Sequence, residues 1–168
     1  MAKCKDVNIF FLDTNPKKIA QYHCDKHVVK MVLETAQLLC GVHWVIGSEA
    51  PYKLSHKNHP CAIWARESDK NYEYLCEIGL ALCEEYTYRY GKVHKSEEII
   101  EWCAMNVPLL PRDVGSTKPP TAMPDEYKVG HSVVQSYRNY YNGAKADFAK
   151  WTKREIPEWF INNKELCN

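Results

Sequence analysis

The stretch Gln21 to Cys40, QYHCDKHVVKMVLETAQLLC, constrains the rest of the chain most. It holds neither Gly nor Pro, and its Ala, Leu, Met, Lys, Gln and Glu residues favour a helix of about five turns. At about 100° per residue, His23, His27, Lys30, Glu34 and Gln37 share roughly a 100° arc. Val28, Val29, Met31, Val32, Leu33, Ala36, Leu38 and Leu39 cover most of the remaining surface. An ordinary surface helix has a broad polar face and one apolar stripe. The inverse pattern places this helix inside the fold, with its narrow polar line facing something polar. Five polar groups on a buried face are costly unless water or a ligand reaches them. A plainer reading makes Lys30 and Glu34 a simple i,i+4 ion pair and one His a satisfied core residue.

The chain has 168 residues, the size of one domain, and its 45% hydrophobic content suffices for a sizeable core. The 22 basic residues nearly balance the 21 acidic ones, so any nucleic-acid surface has to be a local patch. No uninterrupted apolar run reaches about 18 residues, which predicts no membrane span. MAKCKDVNIFFLD lacks the pattern of a signal peptide. None of the eight cysteines forms a CxxC pair, and most fall in apolar helical patterns. Buried thiols in a reducing, cytoplasmic setting are expected.

Asn8 to Leu12, NIFFL, reads as a buried strand or extended segment. Asp13-Thr14-Asn15-Pro16 then starts a helix near Lys17 that runs on to about Cys40, with Val42 to Ile46 as a possible extension. Pro60 opens a helix after Asn58 or His59. Ser68 caps a long one, Asp69 to Tyr90, ended by Gly91, and Ser96 starts a short one to about Met105. Five prolines exclude a regular element from Asn106 to Gly130, a loop of about 25 residues. Ser132 caps VVQSYRNYY, which stops at Asn142-Gly143, and a last helix is expected over roughly Ala144 to Arg154. The expected fold is mainly α: one compact helical domain over 1–168. It comprises a short N-terminal extended segment, a helical core over about 17–105, a Pro-rich loop over 106–130 and C-terminal helices over 131–162.

Three constellations carry chemistry. In the first, Glu34 in a partly desolvated cleft suits a general acid or base, and Lys30 beside it suits an imine-forming nucleophile. In the second, His23, Cys24 and His27 lie close in sequence, as do His56, His59 and Cys61. His23 and His27 at i,i+4 could share a zinc with a ligand from the second cluster, although the spacing is that of no standard zinc site. His56, Lys57 and His59 before a helix N-terminus equally suit a phosphate. In the third, Tyr137, Arg138, Tyr140 and Tyr141 with Lys145, Lys150, Trp151, Lys153 and Arg154 interleave bases with aromatics, as phosphate contact and base stacking require. The same residues fit an amphipathic helix with an aromatic core face.

HVVKMVLE, from His27 to Glu34, follows an apolar segment. HPCAIWARESDKNYEYLCEIGLALCEEYTYRYG ends in an aromatic-Gly turn, and YRNYYNG lies near the C-terminus. Together these resemble the phage pyrimidine-dimer DNA glycosylases of the endonuclease V type. The resemblance implies an all-helical enzyme that cuts the glycosidic bond of a pyrimidine dimer. An N-terminal α-amine attacks the sugar C1′ to form an imine, a glutamate handles protons, and β-elimination nicks the strand. Carried over, Glu34 is the acid–base residue, His27 contacts the substrate phosphate or sugar, and Tyr137, Arg138, Tyr140 and Tyr141 line the DNA. The chain departs from the pattern at Leu33, where the family has Arg, and in the residues Met1 to Val7 ahead of the apolar segment. Lys30 or Lys26 are alternative amines.

The expected function is that of a DNA glycosylase, with or without AP-lyase activity, acting on damaged or modified pyrimidines. Glu34, His27, His23 and Lys30 are its catalytic candidates. His56, Lys57, His59, Arg66, Tyr137, Arg138, Tyr140, Tyr141 and Lys145 are its DNA-contact candidates, and no cofactor or metal is implied. The alternatives are an enzyme or sequestering protein for a modified nucleotide, and a zinc-stabilised interaction module.

Overall fold

The computed structural model describes residues 7–161. Among them lie six α-helices: α1 Pro16–Tyr22, α2 Asp25–Val45, α3 Pro60–Glu67, α4 Asp69–Tyr90, α5 Glu97–Met105 and α6 Val133–Tyr140. No strand forms among these residues, and the fold is mainly α, as the periodicity predicts. The helix starts follow local chemistry. Asn15, His59, Ser68 and Ser132 each accept a backbone N–H of the first turn, and Pro16 and Pro60 stand where a missing N–H costs nothing. Gly91 ends α4 in the left-handed conformation.

α4 is the central rod and packs against α1, α2, α3 and α5, while α2 also meets α3 and α5. By length and apolar composition, α2 would suffice to cross a membrane, yet 67% of that apolar window is buried inside the fold. Gly79 of α4 marks the closest approach of three helices. A Cβ there would lie 2.9 Å from Thr35 Cγ2 and 3.1 Å from Ile100 Cγ2. The leading segment is irregular, where a strand or extended segment is expected: Phe10 has a positive φ and the Leu12 N–H donates back to the Phe10 carbonyl at 2.8 Å. Val7, Ile9, Phe10, Phe11 and Leu12 are all buried in the core. Asn8 ties this segment down, accepting the Tyr137 hydroxyl at 2.8 Å and donating to the Ala122 carbonyl at 2.8 Å.

Two expected helices are corrected. The helix expected from Lys17 to Cys40 breaks at His23 and Cys24, whose ψ values of 131° and 160° are extended. The cause is tertiary. Arg89, buried on α4, donates to Glu85 at 2.8 Å, to Asp25 at 3.0 Å and to the Gln21 carbonyl at 3.0 Å. The C-terminal segment completes this network. Arg154 donates to Glu85 at 2.8 Å, Thr152 donates twice to Asp25, and Trp151 Nε1 donates to the Tyr22 carbonyl at 2.9 Å. Burial alone would raise the Glu85 carboxyl, but the guanidiniums of Arg154 and Arg89 outweigh it and hold the group below its usual range.

The helix expected over Ala144 to Arg154 is absent as well. α6 runs into one π-helical turn, Tyr141–Lys145, and the chain continues irregularly. Gly143 does not stop the helix; it makes room, because a Cβ there would collide with the Tyr127 ring. Beyond that turn the backbone bonds to other elements, as where Asp25 N–H donates to the Lys150 carbonyl at 2.7 Å. Apart from one 3-10 turn at Asp125–Tyr127 the Pro-rich stretch is irregular, and it is pinned where Thr117 meets Asn71 and Trp64.

Six cysteines of the described residues, at positions 24, 40, 61, 76, 83 and 103, are buried free thiols. Cys4 and Cys167 lie outside the described residues.

Removing Arg89 strips Asp25 of its cation and leaves Glu85 with Arg154 alone. Arg89→Met is expected to lower unfolding free energy by about 3–5 kcal/mol in urea denaturation. Gly79→Ala gains about 1 kcal/mol of helix propensity but forces Thr35 and Ile100 apart at a cost of about 1–3 kcal/mol. Its net effect in the same measurement should be destabilising.

Candidate active site

The polar line of α2 is shorter than the sequence predicts. The break at His23 takes that residue off the helix. His23 is fully buried, and its Nδ1–H donates to the Ile19 carbonyl at 2.7 Å, as a carbonyl can only accept. Its other nitrogen, Nε2, has no hydrogen-bond partner. His23 is thus a structural residue of the break, which corrects its placement among groups facing a ligand. His27, Lys30 and Glu34 remain on one face. Glu34 is buried, 6% exposed, whereas Lys30 is exposed and its Nζ lies 3.7 Å from Glu34 Oε1. The Glu34 charge reaches Cys61 in the first turn of α3. There, burial first and this charge second push the thiol up to about 12. The carboxylate therefore sits where α2 faces the start of α3.

His27 is nearly buried and is held by three aromatic side chains. The Phe10 ring stacks on it, with centroids 4.3 Å apart and planes 18° apart. The Tyr141 hydroxyl lies 2.6 Å from its Nδ1, and Phe148 meets it edge-on at 5.7 Å. Phe10 adopts φ 56°, the left-handed region that a bulky L residue rarely enters. Such strain persists where surroundings over-determine it, and it concentrates at functional sites. Phe10 also contacts Tyr137, Tyr140 and Tyr141, so one strained ring joins the leading segment, α2 and α6.

Burial, then His23, Lys145, Lys30 and Lys26, hold the His27 imidazole down at about 2. All four of these neighbours disfavour a positive charge. The Lys145 ammonium lies over Tyr140 at 4.7 Å, and Lys26 over Phe148 at 4.8 Å. A neutral imidazole among three lysines makes this end of the face attractive to an anion, and the buried Glu34 lies two turns further along.

The DNA-contact candidates divide. Tyr137 and Tyr141 are fully buried and Tyr140 nearly so, which corrects their reading as DNA-lining side chains. Tyr137 donates to Asn8 and to the Pro120 carbonyl, so its hydroxyl serves the core. Arg138 donates to the Leu12 carbonyl at 3.0 Å and lies 3.4 Å from Asp13. His59 is a helix cap, its Nδ1 accepting Cys61 N–H at 3.0 Å. Arg66 donates to the Lys57 carbonyl at 2.7 Å, while the Lys57 and His56 side chains are exposed. Of this group, Tyr141 contacts His27 directly and Lys145 acts on it by charge. Among the described residues, no three His, Cys, Asp or Glu side chains come together as a metal would need. The zinc-module alternative thus lacks a ligand set.

Sequence reasoning missed Phe10, since a positive φ on a bulky residue leaves no trace in a sequence. It also missed an open groove of about 820 Å³ lined by Lys18, Tyr22, Arg138, Lys153, Arg154 and Trp159 among others. The alternation of Lys, Trp and Arg near the C-terminus was its available signal. The groove includes neither His27 nor Glu34.

The buried imidazoles make stability depend on pH. Burial holds His23 down at about 4 and His27 at about 2, against the ordinary 6.5. Below 6.5 the unfolded chain binds protons that the folded chain refuses, so stability falls as pH drops. Between about pH 5.5 and 4.5, above most carboxylate titration, each imidazole contributes up to about 1.4 kcal/mol per pH unit. Urea unfolding across this window should show the fall, and His27→Gln should remove the share of His27 while leaving those of His23 and the likewise buried His43. A flat profile from pH 7 to 4.5 would contradict neutral burial.

No curated protein and no solved structure matches the chain. A family model does match, described as "Pyrimidine dimer DNA glycosylase", over residues 7–98. That span is more than half of the chain and runs from the buried leading segment to the first turn of α5, taking in Phe10, His27, Lys30 and Glu34. By this match the chain belongs to the pyrimidine dimer DNA glycosylase family.

Proposed function

We propose that this chain is a DNA glycosylase that excises a damaged or modified pyrimidine from duplex DNA and then nicks the abasic strand. The observation that carries the reading is the coincidence of the family match with the face holding His27, Lys30 and buried Glu34. Glycosylases of this chemistry need an amine and a carboxyl group at one sugar. The amine attacks C1′, the bond from C1′ to the pyrimidine breaks, and the base leaves with a proton. The sugar ring opens to an imine, a base removes a proton from C2′, and the 3′ phosphate departs. Glu34 is the group for the proton steps. The N-terminal α-amine lies outside the described residues. Among the described amines, that of Lys30 stands 3.7 Å from the Glu34 carboxylate. Lys26, Lys30 and Lys145 around His27 provide the local positive field that a near-neutral chain needs for DNA phosphates.

A second reading rests on the 820 Å³ groove, whose cations and aromatic rings suit a nucleotide and whose size is that of a small-ligand site. Affinity that falls steeply with salt favours the duplex, since each phosphate contact releases counterions; a shallow dependence favours the nucleotide.

Borohydride trapping on ultraviolet-irradiated duplex is expected to yield a covalent adduct, mapped by mass to the α-amine or to Lys30. Glu34→Gln should reduce strand nicking by about 10²-fold or more without unfolding the protein. Neither adduct nor nick on irradiated or abasic duplex would overturn the proposal.

A further inference from the structure

Tyr141 lies outside the span that defines the family, yet it makes the shortest polar contact at His27, 2.6 Å from hydroxyl to Nδ1. It is fully buried, and burial first holds its phenol protonated well beyond the usual range. The hydroxyl therefore keeps one proton to give. Two acceptors stand near it: His27 Nδ1 at 2.6 Å and Cys24 Sγ at 3.7 Å. An imidazole nitrogen is a far better acceptor than a thiol sulfur, and the shorter distance agrees. The Cys24 N–H in turn donates to the Tyr141 oxygen at 3.3 Å, filling its acceptor side. Phe10 stacked on the ring fixes the plane in which this bond lies.

A carboxylate on Nδ1 would favour the imidazolium; a neutral hydroxyl that donates favours the neutral ring. The titratable groups facing His27 are His23, Lys26, Lys30 and Lys145, with Tyr141 and Cys24 behind it. None of them supplies a negative charge to stabilise a second proton. We infer that Tyr141 is a positioning residue that fixes His27 as the neutral imidazole carrying its proton on Nε2. His27 then meets an acceptor oxygen of the DNA backbone as a hydrogen-bond donor and takes no part in proton transfer. The donor role rests on the proposed glycosylase reading; the tautomer does not.

NMR of isotope-labelled histidine in the full chain tests the tautomer directly. His27 is expected to show a single form with Nε2 protonated and Nδ1 a hydrogen-bonded acceptor, unchanged from pH 8 to pH 5. A proton on Nδ1, or titration in that range, overturns the inference. In Tyr141→Phe the second tautomer should appear and kcat/KM for nicking should fall about ten-fold, the worth of roughly one hydrogen bond. Should that variant unfold, the wild-type spectrum still decides. His27→Gln, which keeps a neutral N–H donor, should retain several-fold more activity than His27→Leu. Equal losses overturn the donor role. If no DNA is cut at all, the proposed function fails while the tautomer result stands.

Discussion

The Arg89 guanidinium is the interaction on which the rest of the structure depends. A cation taken out of water must have its N–H groups satisfied, and Arg89 spends them on three different elements. One contact stays within α4, one reaches the N-terminal turn of α2, and one takes the last-turn carbonyl of α1. That carbonyl is available because α1 stops. The interruption at His23 and Cys24 is therefore a condition of the ion network, and the network in turn sets the direction in which α2 leaves. His27, two residues after Asp25, inherits its position from this junction.

Around His27 the electrostatics are local. The chain as a whole is close to neutral, with a formal net charge of +1. Yet every charged neighbour acting on the His27 ring is a cation or another imidazole. On the proposed function, this one small field is what meets phosphate, while the charge of the chain as a whole stays balanced. The buried carboxylate of Glu34 lies two turns along the same face, with Lys30 between them. The proposed function divides anion recognition and proton handling between separate residues on one rigid helix, which holds side chains in place better than a loop.

Much of the architecture was legible because its causes are local. Pro16 and Pro60, the caps at Ser68 and Ser132 and the stop at Gly91 are written in adjacent residues, and the helices that begin and end there follow. The break between α1 and α2 was not legible, since no Gly or Pro marks it and its cause lies on α4 and in the C-terminal segment. The same reason hides the irregular course after Lys145, where backbone groups answer to Asp25 and not to their own neighbours. At the site, spacing on α2 placed Lys30 and Glu34 together. It misplaced His23, because helical geometry was extended through a break. Tyr137 and Tyr141 were read by composition as a nucleic-acid face; a run of tyrosines beside basic residues looks alike whether the rings face solvent or the core. Their hydroxyls have buried partners far away in sequence, and that knowledge exists only in three dimensions.

The strap formed by Trp151, Thr152 and Arg154 closes on Tyr22, Asp25 and Glu85, across sequence separations of up to 129 positions. Long closures of this kind carry a large loop entropy and form late. A polypeptide emerging from the ribosome would therefore carry Glu34 and His27 long before the residues that orient them have been made. Synthesis must pass Trp151 and Thr152 before the junction ahead of His27 can be completed. Fragments shed by interrupted synthesis would carry the reactive groups without the scaffold that aligns them.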